Sequence, residues 1–393
     1  MCAAMEPLIN DEFVGAPGKR TLSAILAKKS GGAHGVGIYC AYAPFELIRA
    51  AGAVPIGLCA FSNKTIPAAE TVLPANLCPL IKSSYGFISA NTCPFFGLSD
   101  AVVGEPTCDG KKKMFERIGH IKPMHVMDLP QAPDAPEAQA TWTAMIRKLQ
   151  RFLEATFQTR IADERIEAEI RETNERNRLM NLVFDYAALT PPALGWGEMY
   201  DLIALSSVLN MAELRPVIEA ALAKLERRAA EGVFVGRRDA PRVMVTGCPI
   251  NGDSAKVFRL IEEAGGVVVA LEGCSGMKPF AMTIEEGTGD PVAALARAYL
   301  TIPCSCMTPN QRRLDLQDAL IARFQPDAVV DVILQACHGY NVESYRVGQH
   351  IEQKHGLPFL KIETDYSDSD VERIRTRVEA LLEGGRVAEE ALC

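Results

Sequence analysis

Short β-rich runs alternate with helical patterns in two separate stretches of this chain, and that alternation leaves little choice of fold. In the first stretch, residues 34–40, 54–59, 101–105 and 124–129 read as strands, with helical patterns at 44–52, 75–89 and 109–118. In the second, residues 242–246, 266–271, 328–334 and 358–363 read as strands, with helices at 293–300, 311–324, 341–354 and 369–383. Strands joined by helical crossovers pair in parallel and carry helices on both faces. Between the stretches, apolar residues recur at helical spacing in 142–156, 161–181 and 214–230, with no convincing strand. The expectation is an α/β protein of two doubly wound parallel-sheet domains, residues 1–139 and 236–393, with a helical segment at 140–235.

Composition narrows the function. A chain of 393 residues with 48% hydrophobic and 23% charged residues can bury large cores. The formal charge of −8 and a single basic cluster, Lys111-Lys112-Lys113, argue against a nucleic-acid binder. The start lacks a basic region followed by an apolar core, and no apolar stretch reaches the ~20 residues of a membrane span. A cytoplasmic protein without membrane contact is therefore expected. Twelve cysteines in a reducing compartment are thiols or metal ligands rather than a disulfide framework.

Many of those cysteines sit where strands stop and helices begin: Cys40, Cys78, Cys108, Cys274 and Cys337. Carboxyl ends of parallel strands form the ligand-binding rim of an α/β domain. A rim of thiols points to a soft-metal cofactor. Other chemistries fare poorly. The turn Gly247-Cys248-Pro249-Ile250-Asn251-Gly252 fails the dinucleotide spacing, and no phosphate loop, nucleophile elbow or paired zinc knuckle occurs. Iron–sulfur ligation remains, with helix N-termini beside Cys78 and Cys108 favouring an anionic cluster. Cys78 and Cys108 lie 30 residues apart and Cys337 a further 229, so they can meet only across a cleft between domains. Cys59 and Cys93 read as structural, Cys2 and Cys393 as incidental, and Cys248 as either turn packing or site. Cys304 and Cys306, at i and i+2, share a face in extended chain, and one or both can reach a cluster.

The block from Gly37 through Cys40-Ala41-Tyr42-Ala43-Pro44-Phe45-Glu46 to Pro55 resembles the opening of the 2-hydroxyacyl-CoA dehydratase and benzoyl-CoA reductase subunit family. Leu77-Cys78-Pro79, Thr107-Cys108-Asp109-Gly110-Lys111 and Gln335-Ala336-Cys337-His338 resemble its cluster-binding blocks. The resemblance implies two domains with a helical insert and an iron–sulfur cluster in the interdomain cleft, held by Cys78, Cys108 and Cys337. It also implies electron delivery by a separate ATP-hydrolysing activator with its own 4Fe–4S cluster. The surplus of rim thiols is similar to the double-cubane branch, whose 8Fe–9S cluster takes six cysteines and which reduces small molecules. On that resemblance the further ligands are Cys40, Cys274 and Cys306, with Cys304 and Cys248 in reserve. His338 is a candidate proton donor or hydrogen-bonded neighbour, and Glu272 an acid or an acceptor. Lys82, Tyr85 and Lys111, on helix first turns beside Cys78 and Cys108, either neutralise the cluster or are surface charges. A homodimer is expected. The alternatives are a dehydratase subunit with a single 4Fe–4S cluster, acting on an acyl-CoA by a ketyl-radical route, and a non-enzymatic electron carrier.

Overall fold

The computed structural model describes residues 6–390, with side chains described as far as Glu383. Two four-stranded parallel sheets carry the molecule. The first contains β1 (His34–Ile38), β2 (Ala53–Gly57), β3 (Ala101–Gly104) and β4 (Met124–Val126), in the order β2-β1-β3-β4. The second contains β5 (Arg242–Gly247), β6 (Val267–Leu271), β7 (Ala328–Leu334) and β8 (Phe359–Thr364), in the order β6-β5-β7-β8. The α/β expectation holds, and both sheets share one topology although their sequences show no repeat. Strand order reverses beside β1 in one and β5 in the other, the place where parallel sheets open a ligand crevice. β5, β6 and β7 are buried throughout, as strands covered on both faces must be.

The helical segment comprises Ala138–Phe157, Asp163–Ala188, Trp196–Val208 and Met211–Glu231. The last begins with a capping box, Asn210 and Glu213 each satisfying the other's backbone N–H. These helices divide between the sheets. Trp142, Ile146, Leu149 and Leu153 pack with Val36, Ile38 and Leu47 of the first sheet's layer. Met180, Val183, Leu214 and Ile218 pack with Val243, Val245 and Val329 of the second. Helix Pro291–Tyr299 follows the second sheet's β6 in sequence, yet Val292, Leu295 and Tyr299 complete the first core. Packing thus laces the two halves together across the sequence boundary at 235.

A third apolar cluster lies where the rims face each other. It joins Tyr39, Ile56, Leu58, Cys78 and Ile81 from the first half to Cys248, Ile333, Leu334, Tyr340 and Tyr366 from the second. The turn after β5 seals this junction. A Cβ on Gly252, whose φ is +49°, would lie 2.4 Å from the Phe61 carbonyl oxygen. Asp253 N–H donates to that same oxygen at 2.8 Å, and Asn63 N–H donates to Asp253 Oδ2 at 2.7 Å. The glycine therefore admits the other half's backbone where a dinucleotide-binding turn would admit a phosphate.

Candidate metal centre

Cys78, Cys108 and Cys337 are each the N-cap of a helix: Pro79–Ser89, Asp109–Ile118 and His338–His350. Unpaired N–H groups and the helix dipole at such ends favour an anion. Lys111 N–H donates to Cys108 Sγ at 3.5 Å. Cys337 is delivered by a sharp turn. Ala336 has φ +59°, a left-handed conformation that costs an alanine on the order of 1 kcal/mol. Gly247, at φ +108°, ends β5 so close to β7 that a Cβ would lie 2.3 Å from the Val332 carbonyl. That approach places Cys248 Sγ where it accepts from Leu334 N–H at 3.3 Å.

None of the described cysteines is in a disulfide. All of them except Cys93 gather at the facing rims. Cys78 lies within electrostatic reach of Cys337 and Cys108, and Cys248 hydrogen-bonds Cys337. Across from them, Cys40, Cys274, Cys304 and Cys306 influence one another. Cys337 and Cys304 connect the two sets. Cys59, expected to be structural, packs against the apolar junction just past β2, which stops at Gly57, and its thiol lies within electrostatic reach of Lys111 and Cys274 and donates to the Tyr39 carbonyl at 3.2 Å. Cys93 accepts from Phe96 N–H at 3.3 Å and is structural. Cys2 and Cys393 fall outside the described residues.

Burial sets the protonation pattern. It lifts Cys40, Cys59, Cys248 and Cys274 above the ordinary thiol range and pushes Cys78 up to about 12. Two thiols go the other way. Cys306 donates to Cys304, which is lowered to about 6 and is the thiolate of its pair, and Cys248 donates to Cys337, which is lowered below the ordinary thiol value. Lys111 is the cation between the sets. Burial alone would lower its pKa, but Cys40, Cys59, Cys108 and Glu105 outweigh burial and raise it. Its Nζ donates to the Tyr39 carbonyl at 3.3 Å.

The acids divide by role. Glu272 is fully buried and salt-bridged to Lys278 at 2.7 Å, with Arg313 at 3.5 Å. Those cations outweigh desolvation and keep it below the usual carboxylate range, so it accepts hydrogen bonds and has no proton to give near neutrality. His338 is exposed at the first turn of its helix. Lys82 is committed to Glu70 at 2.7 Å, and Tyr85 Oη accepts from Arg117 at 3.2 Å. Sequence reasoning missed Glu105. It follows β3, is fully buried, and burial lifts it to about 7. Neither of its carboxylate oxygens has a side-chain hydrogen-bond partner among the described residues, and the backbone N–H groups of Ala43 and of Glu105 itself are the donors that face it.

This arrangement fits a large anionic cluster. The donor set is soft thiol sulfur, three of the thiols at helix N-termini, with Lys111 and the buried Lys278 for charge. No three thiols among the described residues bring their sulfurs within 4.8 Å of one another, a spacing wider than a single ion requires. Tyr39 Oη and Tyr366 Oη are buried without partners. Tyr366 faces Cys78, Cys59 and Cys248. Unpaired buried donors are costly, and inorganic sulfides among them would accept their hydrogen bonds.

Such a fold and thiol rim define a class, and comparison with known proteins places the chain in it. Residues 40–384 match the family described as 2-hydroxyglutaryl-CoA dehydratase, D-component, and the chain belongs to that family. It is 42% identical over 378 residues to YjiM of Escherichia coli (strain K12), provisionally named a dehydratase subunit, covering 96% of this chain and 98% of that one. It is 22% identical to lactoyl-CoA dehydratase subunit beta of Anaerotignum propionicum, covering 94% and 96%. It is also 22% identical to the (R)-phenyllactyl-CoA dehydratase beta subunit of Clostridium sporogenes, covering 90% and 92%. A benzoyl-CoA reductase component of Thauera aromatica shares 23% identity over 66% of each chain. The chain is a dehydratase or reductase component of this family.

Proposed function

We propose that the chain is an iron–sulfur reductase component that holds an 8Fe–9S double cubane between its two halves and reduces a small molecule there. One observation carries the reading: thiols from the strand ends of both sheets meet around Lys111, more of them than a three-ligand cubane needs. Cys78, Cys108 and Cys337 would hold one side. Cys40, Cys274 and the Cys304–Cys306 pair would hold the other, with Cys304 favoured over Cys306 because it is the thiolate of that pair. When bound, such a cluster supplies electrons singly at low potential. No nucleotide-binding motif occurs in the sequence, so the ATP-driven activator is a separate protein. A homodimer would present paired docking faces to it.

The protein's own part is ligation, charge and protons. Each electron added to a substrate is matched by a proton, and Glu105 is the buried acid able to hold one at neutral pH. Lys111 compensates charge beside it. Tyr39 and Tyr366 hold donors toward the pocket, and the apolar junction around Ile81, Ile333 and Tyr340 excludes water. Glu105→Gln tests the assignment. Iron content should match wild type while kcat with activator and ATP falls about 100-fold and KM stays nearly constant. An unchanged kcat would remove Glu105 from the proton path. A wild type that takes electrons from the activator yet turns over no acceptor would point to a carrier.

A further inference from the structure

A second set of metal-type side chains meets where the middle of one helix faces the far end of another, both helices beginning shortly after thiols. Asp318 stands on helix Gln311–Phe324, which follows Cys306. His350 ends helix His338–His350, which follows Cys337, and His355 ends the π-helical turn Ile351–His355. His350 Nε2 and His355 Nε2 both lie 2.6 Å from Asp318 Oδ1. The three ligand atoms fall within 4.8 Å of one another.

The π turn creates this meeting. Five residues along a regular α-helix, two side chains point about 140° apart. The wider turn brings residues i and i+5 to one face, and such turns recur at functional sites. The imidazoles and carboxylate are mostly buried, with side chains 16%, 19% and 22% exposed, which fixes their rotamers while leaving an approach from solvent. Asp318 Oδ2 takes Lys354 Nζ at 2.6 Å and leaves Oδ1 to the two rings. The Lys354 side chain is 55% exposed and can swing into water.

We propose that Asp318, His350 and His355 bind a divalent first-row cation, Zn2+ by preference, with water completing its shell. Two imidazoles and one carboxylate are a donor set of zinc and non-haem iron sites. The ion takes the lone pair of each Nε2, so each bound ring carries its proton on Nδ1. His350 lies about 18 Å along its helix from His338, so the ion is separate from the thiols and ties the end of one helix to the middle of another. The site stands independently of the iron–sulfur proposal.

The test uses the full chain, purified anaerobically with its iron content measured, then dialysed against ZnCl2. Wild type should retain about one zinc equivalent more than Asp318→Asn, His350→Gln or His355→Gln, with equal iron in all. Zinc should raise the melting temperature of wild type and of none of the variants. Wild-type crystals grown with zinc should give an anomalous peak at the zinc edge about 2.0–2.2 Å from the three atoms. Equal zinc in wild type and variants, or wild-type crystals with no peak there, would overturn the proposal.

Discussion

Cys304 and Cys306 stand two residues apart, yet their thiols differ: Cys306 donates and Cys304 is left as the thiolate. Iron should therefore be lost more completely in Cys304→Ser than in Cys306→Ser, measured as iron per chain after anaerobic purification. The sequence made either one a candidate, because extended i and i+2 residues share a face, with Cys306 first and Cys304 in reserve. It could not show that the intervening chain folds back, with Met307 N–H donating to the Cys304 carbonyl at 3.0 Å and Asn310 Nδ2 donating to it at 2.9 Å. Glu105 was illegible for a similar reason, since only burial distinguishes it from any acid after a strand. Glu169 offers a stability test remote from the thiols. Burial lifts it to about 7, above an ordinary carboxyl, so the folded chain holds this proton more tightly than the unfolded chain. That stabilisation is full below about pH 4 and is lost as pH rises through about 7. Glu169→Gln should be more stable than wild type by ~1–2 kcal/mol at about pH 8, allowing for partial solvation, with no gain at about pH 4. Urea titration at both pH values decides it.

At the scale of elements, helix Pro79–Ser89 fixes where Cys78 points. It packs so tightly that a Cβ on Gly86 would lie 2.1 Å from the Thr65 carbonyl oxygen, a backbone atom with little freedom to yield. Gly86→Ala should cost about 1–3 kcal/mol in denaturant unfolding and reduce iron per chain by tilting the helix that Cys78 caps. All eight strands were legible, most because buried parallel strands read as apolar runs, and the less buried β4 and β8 because they continue the strand–helix alternation. Helices Pro17–Ser30 and Trp196–Val208 were not. The first carries few apolar residues and is held by Arg20, which pairs with Asp11 at 2.7 Å and Asp201 at 3.0 Å. The second follows a Pro/Gly-rich stretch that reads as loop, and tertiary packing of Met199, Leu202 and Leu205 overrides that signal. The rim ends of the first sheet were drawn too long. Cys40 and Cys59 lie just beyond β1 and β2, where the chain has left the ladder.

For the whole molecule, the two parallel-sheet halves were legible from the alternation of strands and helices. The lacing of the halves was not, because helix Pro291–Tyr299 packs against the half that its sequence neighbours do not occupy. Nor was the common strand order, since topology repeats here without sequence repeating. The central claim is that both halves jointly grip one inorganic core through two sets of thiols. Iron and acid-labile sulfide per chain, with EPR of the reduced protein after anaerobic purification, test it most directly. About eight irons and nine sulfides per chain are expected, and both should fall in Cys274→Ser as well as in Cys108→Ser. About four irons per chain, unchanged in Cys274→Ser, would contradict the claim and leave a single 4Fe–4S cluster on Cys78, Cys108 and Cys337.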